Sequence, residues 1–175
     1  MRIDEVQYNN KIEQAYLLLG KARYFDRRFF PALEAFNYLL KSGAKRSVFV
    51  EGKIWREKTN IRLKNYELAI DNLRPLVQSL PSNNAFYPLA NATLAEAFLQ
   101  LEALDSARYY IQKAAVKEPK KKNKARYLFI TGQLFEQQQK YDSARWAYQE
   151  IENLKRKARR RHKSRASIKQ VGCRE

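Results

Sequence analysis

The side chains best suited to nucleophilic or proton-transfer chemistry are also the rarest here, one histidine (His162) and one cysteine (Cys173). General acid–base catalysis needs an oriented group with a shifted pKa, and a thiol nucleophile needs an activating base beside it. His162 stands in Arg160-Arg161-His162-Lys163, where neighbouring cations make a poor base. One cysteine builds no disulfide framework, and one His with one Cys supplies no clustered metal ligands. The five glycines, Gly20, Gly43, Gly52, Gly132 and Gly172, never cluster into a phosphate-cradling loop. Asp105-Ser106 and Asp142-Ser143 suit helix capping rather than catalysis. The sequence therefore predicts no enzyme, no cofactor, no metal site and no small-molecule substrate.

The densest chemistry-bearing run is cationic. Residues 155–175 hold ten Lys/Arg against Glu175 alone, a net +9 of the formal +17. Such a run binds phosphate backbones by counterion release, serves as a nuclear-import signal, or lies on a solvated helix or terminus. It lacks interleaved aromatics for base stacking and any recognised nucleic-acid module. The other 154 residues carry a mild excess of +8, as an ordinary solvated helical surface does.

What must position any site is a set of helices with a regular beat. Ala32, Ala69, Ala107 and Ala144 are 37, 38 and 37 residues apart, each three residues after Phe29, Tyr66, Leu104 or Tyr141. Four residues further on come Phe36, Leu73, Ile111 and Tyr148, and Pro81 and Pro119 stand twelve beyond Ala69 and Ala107. A small residue flanked by large ones at these spacings lets two helices of a hairpin approach closely. The beat predicts an all-α array over residues 1–154 with units at about 11–44, 48–81, 86–119 and 124–156. Residues 155–175 follow as a basic helix, a tail or a partial fifth unit. Turns between units fall near Ser42–Ser47, Pro81–Tyr87 and Pro119–Lys124, Pro31 suits a first helical turn, and Pro75 bends or shortens its helix. No stretch approaches eighteen apolar residues and the first thirty carry charges throughout, which excludes a membrane span and an intact signal peptide.

These positions resemble the tetratricopeptide repeat, a large residue, Leu-Gly, an aromatic, a central Ala, an aromatic and a closing Pro. Tyr16, Leu19, Gly20, Phe29, Ala32 and Phe36 fit it closely; Gly132 repeats Gly20, while Glu57 and Ala95 take that slot in the middle units. The resemblance implies an α-solenoid of about four hairpins that binds a protein or peptide in a groove lined by its first helices. The matching groove positions are Leu17, Lys21, Tyr24 and Phe25, then Ile54, Lys58, Ile61 and Arg62. They continue as Ala92, Glu96, Leu99 and Gln100, then Phe129, Gln133, Glu136 and Gln137. Leu17 stands where chaperone-binding members carry lysine, which argues against chaperone-tail recognition.

The run Lys21-Ala22-Arg23-Tyr24-Phe25-Asp26-Arg27-Arg28-Phe29-Phe30-Pro31-Ala32-Leu33-Glu34-Ala35-Phe36, with Lys140-Tyr141-Asp142-Ser143-Ala144-Arg145, resembles the gliding-motility lipoprotein family of Bacteroidetes. That family implies a non-catalytic scaffold in type IX secretion and surface gliding. It also implies a periplasmic, outer-membrane-associated location, with membrane contact only indirect, through a lipoprotein anchor. Its lipoprotein signal and acylated cysteine are not in this sequence. One more step of the beat from Ala144 reaches 181, past residue 175, and the expectation is a fragment of a longer repeat protein. The alternative is a protein that binds nucleic acid or an acidic partner through residues 155–175.

Overall fold

A computed structural model describes residues 10–42 and 45–171, with side chains described from Lys11 to Arg156. The basic run past Arg156, including His162 and Cys173, lies outside the described side chains. Among the described residues the chain is all helical: α1 (Asn10–Phe25), α2 (Phe29–Lys41), α3 (Arg46–Arg62), α4 (Tyr66–Ser79), α5 (Tyr87–Gln100), α6 (Leu104–Lys117), α7 (Lys121–Gln137) and α8 (Tyr141–Val171). None of these helices is long and apolar enough to cross a membrane. Two compact units divide between Ala107 and Arg108, inside α6.

The beat of the alanines is also the beat of the turns. Arg27, Lys64, Glu102 and Gln139 have φ of 60°, 65°, 56° and 58°, and each stands five residues before a marker alanine. These turns close by the same pair of backbone bonds. The N–H of Arg28, Asn65, Ala103 and Lys140 donates to the carbonyl five residues back, at 2.9, 2.9, 3.0 and 2.9 Å. The N–H of the positive-φ residue donates three residues back, at 3.1, 3.0, 3.1 and 2.9 Å. This is the Schellman ending of a helix, with its left-handed residue usually glycine; here it is Arg, Lys, Glu or Gln. The next helix starts at once, because Ala32, Ala69, Ala107 and Ala144 donate to Arg28, Asn65, Ala103 and Lys140 at 3.0–3.1 Å. Each marker alanine thus donates a bond that opens the second helix.

The small residues are small because something occupies the space beside them. Ala32, Ala69 and Ala107 are 0% exposed and Ala144 is 3% exposed. In the first unit a Cβ on Gly20 would overlap the ring of Phe36, and in the second a Cβ on Gly132 would overlap Tyr148. Glu57 fills that slot in the next hairpin and is 1% exposed. Its carboxylate accepts from Arg56 Nε at 2.6 Å, Asn60 Nδ2 at 2.6 Å and Asn72 Nδ2 at 3.3 Å. A buried charge needs such partners.

In the first unit α1 packs on α2, α2 on α3, α3 on α4 and α4 on α5, while α1 meets α3 and α3 meets α5. The first helices of successive hairpins therefore lie side by side. Leu17, Ala32, Phe36 and Leu39 form a core with Tyr16, Tyr24, Val48 and Trp55 against it. Glu13 of α1, 5% exposed, accepts the backbone N–H of Lys45 at 3.1 Å, tying α1 to the start of α3. In the second unit α7 and α8 form a hairpin, and α8 continues unbroken through residues 155–171.

Two sequence expectations move. Asp105 and Asp142 are the second residues of α6 and α8, not their caps, and favour the helix through its N-terminal dipole, as Glu67 does in α4. Of the two effects expected of Pro75, bending or shortening, the helix is not cut at the proline, since α4 runs on to Ser79.

Because a non-glycine residue strains at positive φ, Lys64→Gly and Glu102→Gly should each raise unfolding stability by about 0.5–1 kcal/mol. Gly20→Ala should lower it by about 1–3 kcal/mol through overpacking on Phe36. Urea titrations check both, and destabilised glycine variants would contradict the turn geometry.

Candidate interaction surface

Five of the sequence-predicted groove residues meet in the first unit around two that were not among the groove positions. From the last turn of α1 come Lys21, Tyr24 and Phe25, and from α3 come Lys58 and Arg62. Trp55 of α3 and Phe29 of α2 complete the set. Tyr24 stands edge-on to Trp55, Phe25 and Phe29, with centroids 5.3, 5.5 and 5.7 Å apart, and Phe25 meets Trp55 at 5.6 Å. Such edge-to-face pairs are favoured by the ring quadrupoles.

Cations sit against these rings. Lys21 Nζ is 5.5 Å and Lys58 Nζ 5.0 Å from the Trp55 ring, and the Arg62 guanidinium is 5.8 Å from Phe29. The contacts are of cation–π type, and indole is the strongest ring for them. Lys21 also pairs with Glu51 at 2.5 Å. Phe25 is 71% exposed although its ring contacts both Tyr24 and Trp55. The Trp55 Nε1 donor is buried without a hydrogen-bond partner, a deficit that folded chains rarely leave.

Tyr24 couples the cluster to α5. Its hydroxyl is held above the usual phenol range, first by burial, then by the negative charge of Glu96, with Arg62 acting the other way. The surface thus carries a graded charge, with Lys58 and Arg62 on α3 and Glu96 on α5.

The remaining predicted groove residues are placed differently. Leu17, Ile54 and Ile61 are 6%, 0% and 4% exposed and belong to the core. The repeat pattern put them on the groove side, but the neighbouring helices cover them. Leu99 is half-buried. Phe129 belongs to the second unit, 50% exposed and 5.9 Å from the Tyr148 ring. Tyr148 donates to Glu136 at 3.0 Å, and its phenol is held up by partial burial and by that carboxylate. Trp55 had a signal in the sequence, an aromatic one turn before the groove position Lys58, where cation and ring are within reach, whereas Phe29 was legible only as a repeat position.

No group of His, Cys, Asp and Glu that could hold a metal occurs among the described residues. What the surface offers is aromatic area and fixed cations, which suit recognition of a chain segment rather than bond-making.

Comparison with known proteins adds the fold and stops there. No family model matches the chain, and no curated protein matches it by sequence. Solved structures do share its architecture. MamA (residues 41 to the end) from Desulfovibrio magneticus RS-1 is 18% identical with a TM-score of 0.65, over 86% of this chain and 78% of that one. The thermophilic TPR protein TTC0263 of Thermus thermophilus is 23% identical with a TM-score of 0.64, over 81% and 74%. The chain therefore has the tetratricopeptide-repeat fold.

The raised Tyr24 pKa fixes a sign. Between pH 10.0, where an unfolded phenol ionises, and the higher folded value, the native state alone keeps the proton. Stability from this group is complete below pH 10.0 and is lost as pH climbs through the folded pKa. Stability curves from about pH 8 to about 11.5 should bend downward less in Tyr24→Phe than in the wild type; identical bends would place Tyr24 in open solvent.

Proposed function

We propose that this protein is a non-catalytic interaction scaffold whose first unit binds an acidic segment of a partner protein. The observation that carries the reading is the Trp55 ring flanked by Lys21 and Lys58, with Phe25 exposed beside it. An extended segment with one apolar side chain and one or two carboxylates fits that chemistry. The apolar group covers Phe25 and the carboxylates meet the ammonium and guanidinium groups. The shared fold with tetratricopeptide proteins supports a protein as the ligand.

The finer reading places the scaffold in a bacterial secretion and gliding apparatus, on the periplasmic side of the outer membrane. Its support is the run from Lys21 to Phe36 and that from Lys140 to Arg145. Notably, the first run supplies Lys21, Tyr24, Phe25 and Phe29 of the surface. The second reading, nucleic-acid or acidic-partner binding through residues 155–175, rests on charge alone.

Trp55 is one of two tryptophans, so Trp146→Phe leaves it as the sole reporter. In that background, acidic peptides bearing an aromatic or leucine should shift Trp55 emission saturably, and neutral amide versions should not. Lys58→Glu should weaken binding about tenfold or more, the loss of roughly one charge-assisted contact, and added salt should weaken it further. Equal binding of acidic and amide peptides, or no emission change with any of them, would refute the proposal.

A further inference from the structure

Helix α1 is apolar on a side that no described residue covers. Ile12, Ala15, Leu18, Leu19, Ala22 and Phe25 are all exposed, Leu18 at 64% and Phe25 at 71%. They recur at steps of three and four residues, one continuous stripe on a helix. A helix facing water carries polar residues there, so this stripe has the composition of a contact.

The repeat shows what such a stripe does. Ala15 corresponds to Gly52 in α3 and Ala90 in α5, and Ala22 to Thr59 and Ala97. Gly52 lies against Leu39 of α2, where a Cβ would come within 2.6 Å of that side chain. Thr59, Ala90 and Ala97 are 0% exposed. At this register α3 and α5 take a neighbouring helix, and only in α1 is the place open among the three.

The order of residues identifies an occupant. Reversing the stripe about the midpoint of Leu18 and Leu19 maps Leu18 on Leu19, Ala15 on Ala22, Ile12 on Phe25 and Lys11 on Asp26. A face that reads the same in both directions in size, and opposite in charge at its ends, is complementary to itself under a two-fold axis. We propose that α1 pairs antiparallel with α1 of a second copy of this chain. Alanine then opposes alanine and lets the helix axes approach to about 8 Å. Leucines meet at the centre, Ile12 meets Phe25 at each end, and Lys11 of one copy stands by Asp26 of the other. Asp26 is exposed and bonded within its own copy to Arg28 at 3.1 Å, which leaves a second carboxylate oxygen for Lys11.

A head-to-tail stack through α8 is the other way two copies could meet. On α8 the position equivalent to Leu39 is Ile151, which is already half-buried, and the exposed positions beside it, equivalent to Asn37 and Leu40, are the polar Gln149 and Glu152. They do not match an apolar stripe.

One helix pair buries less than the roughly 1,200–2,000 Å² of a stable interface, so the dimer is weak and reversible. The net charge of +17 opposes it, so moderate salt strengthens the pairing, the opposite of its effect on acidic-peptide binding.

Sedimentation of the full chain between about 5 and 300 μM, a range that brackets weak association, tests the proposal. The weight-average mass should rise from 20.7 kDa toward twice that value. Leu18→Glu, at a mostly exposed site, should keep the helical circular dichroism and stay monomeric. Lys11→Glu and Asp26→Lys should each weaken the dimer several-fold, and together restore it. A wild-type chain that stays monomeric throughout overturns the proposal, as does a dimer indifferent to Leu18→Glu or a double variant no better than the singles. Because Phe25 borders both surfaces, peptide binding by Trp55 is measured in Leu18→Glu, where the peptide site is predicted to stay intact.

Discussion

Each hairpin among the described residues is closed by a backbone turn that has to work without glycine. A residue at φ near 60° ends the first helix, and five positions later an alanine methyl is all the second helix presents. The two requirements are linked. The Schellman bonds send the chain back at once, and an alanine, rather than a larger side chain, lets the second helix lie close enough to use that short connection. Large residues at plus four then fill the groove left open, as Phe36 does over Gly20 and Tyr148 over Gly132. The spacing of 37 or 38 residues is the length of chain that two helices, this closure and a longer link to the next hairpin occupy.

Closing every hairpin alike has a consequence in the first unit. The first helices come to lie side by side, so side chains at one register form a row. In that row Lys21 and Lys58 bracket Trp55, and Tyr24 lies between the rings and the charges of Arg62 and Glu96. No catalytic constellation is needed to make the surface selective; it arises from repeated geometry filled with unrepeated residues. The uncovered stripe of α1 shares its small-residue register with Gly52, Thr59, Ala90 and Ala97, which α3 and α5 bury, whereas the register of Phe25 is exposed in those helices too, at Arg62 and Gln100.

The period and the number of hairpins were legible in the sequence, because small and large residues recur together and helix packing tolerates few other arrangements. The turn residues were not legible. Arg27, Lys64, Glu102 and Gln139 lack the glycine or asparagine that marks a left-handed position, and only the tertiary closure forces them there. Burial at the groove was half legible. Lys21, Tyr24, Phe25, Lys58 and Arg62 lie around Trp55 and Phe29, whereas Leu17, Ile54 and Ile61 were covered by neighbouring helices. Periodicity names a helix face but not the breadth of its cover. Glu57 shows the same limit from the polar side, since a charged residue in a glycine slot reads as an exception until Arg56, Asn60 and Asn72 are seen around it.

The claim on which the rest depends is that four turns without glycine close four hairpins alike. Amide hydrogen exchange tests it at the atoms concerned, the N–H groups of Arg28, Asn65, Ala103 and Lys140, which donate to Arg23, Asn60, Phe98 and Phe135. All four should exchange far more slowly than an unstructured peptide of the same sequence. Exchange at peptide rates in any of them would contradict the common closure.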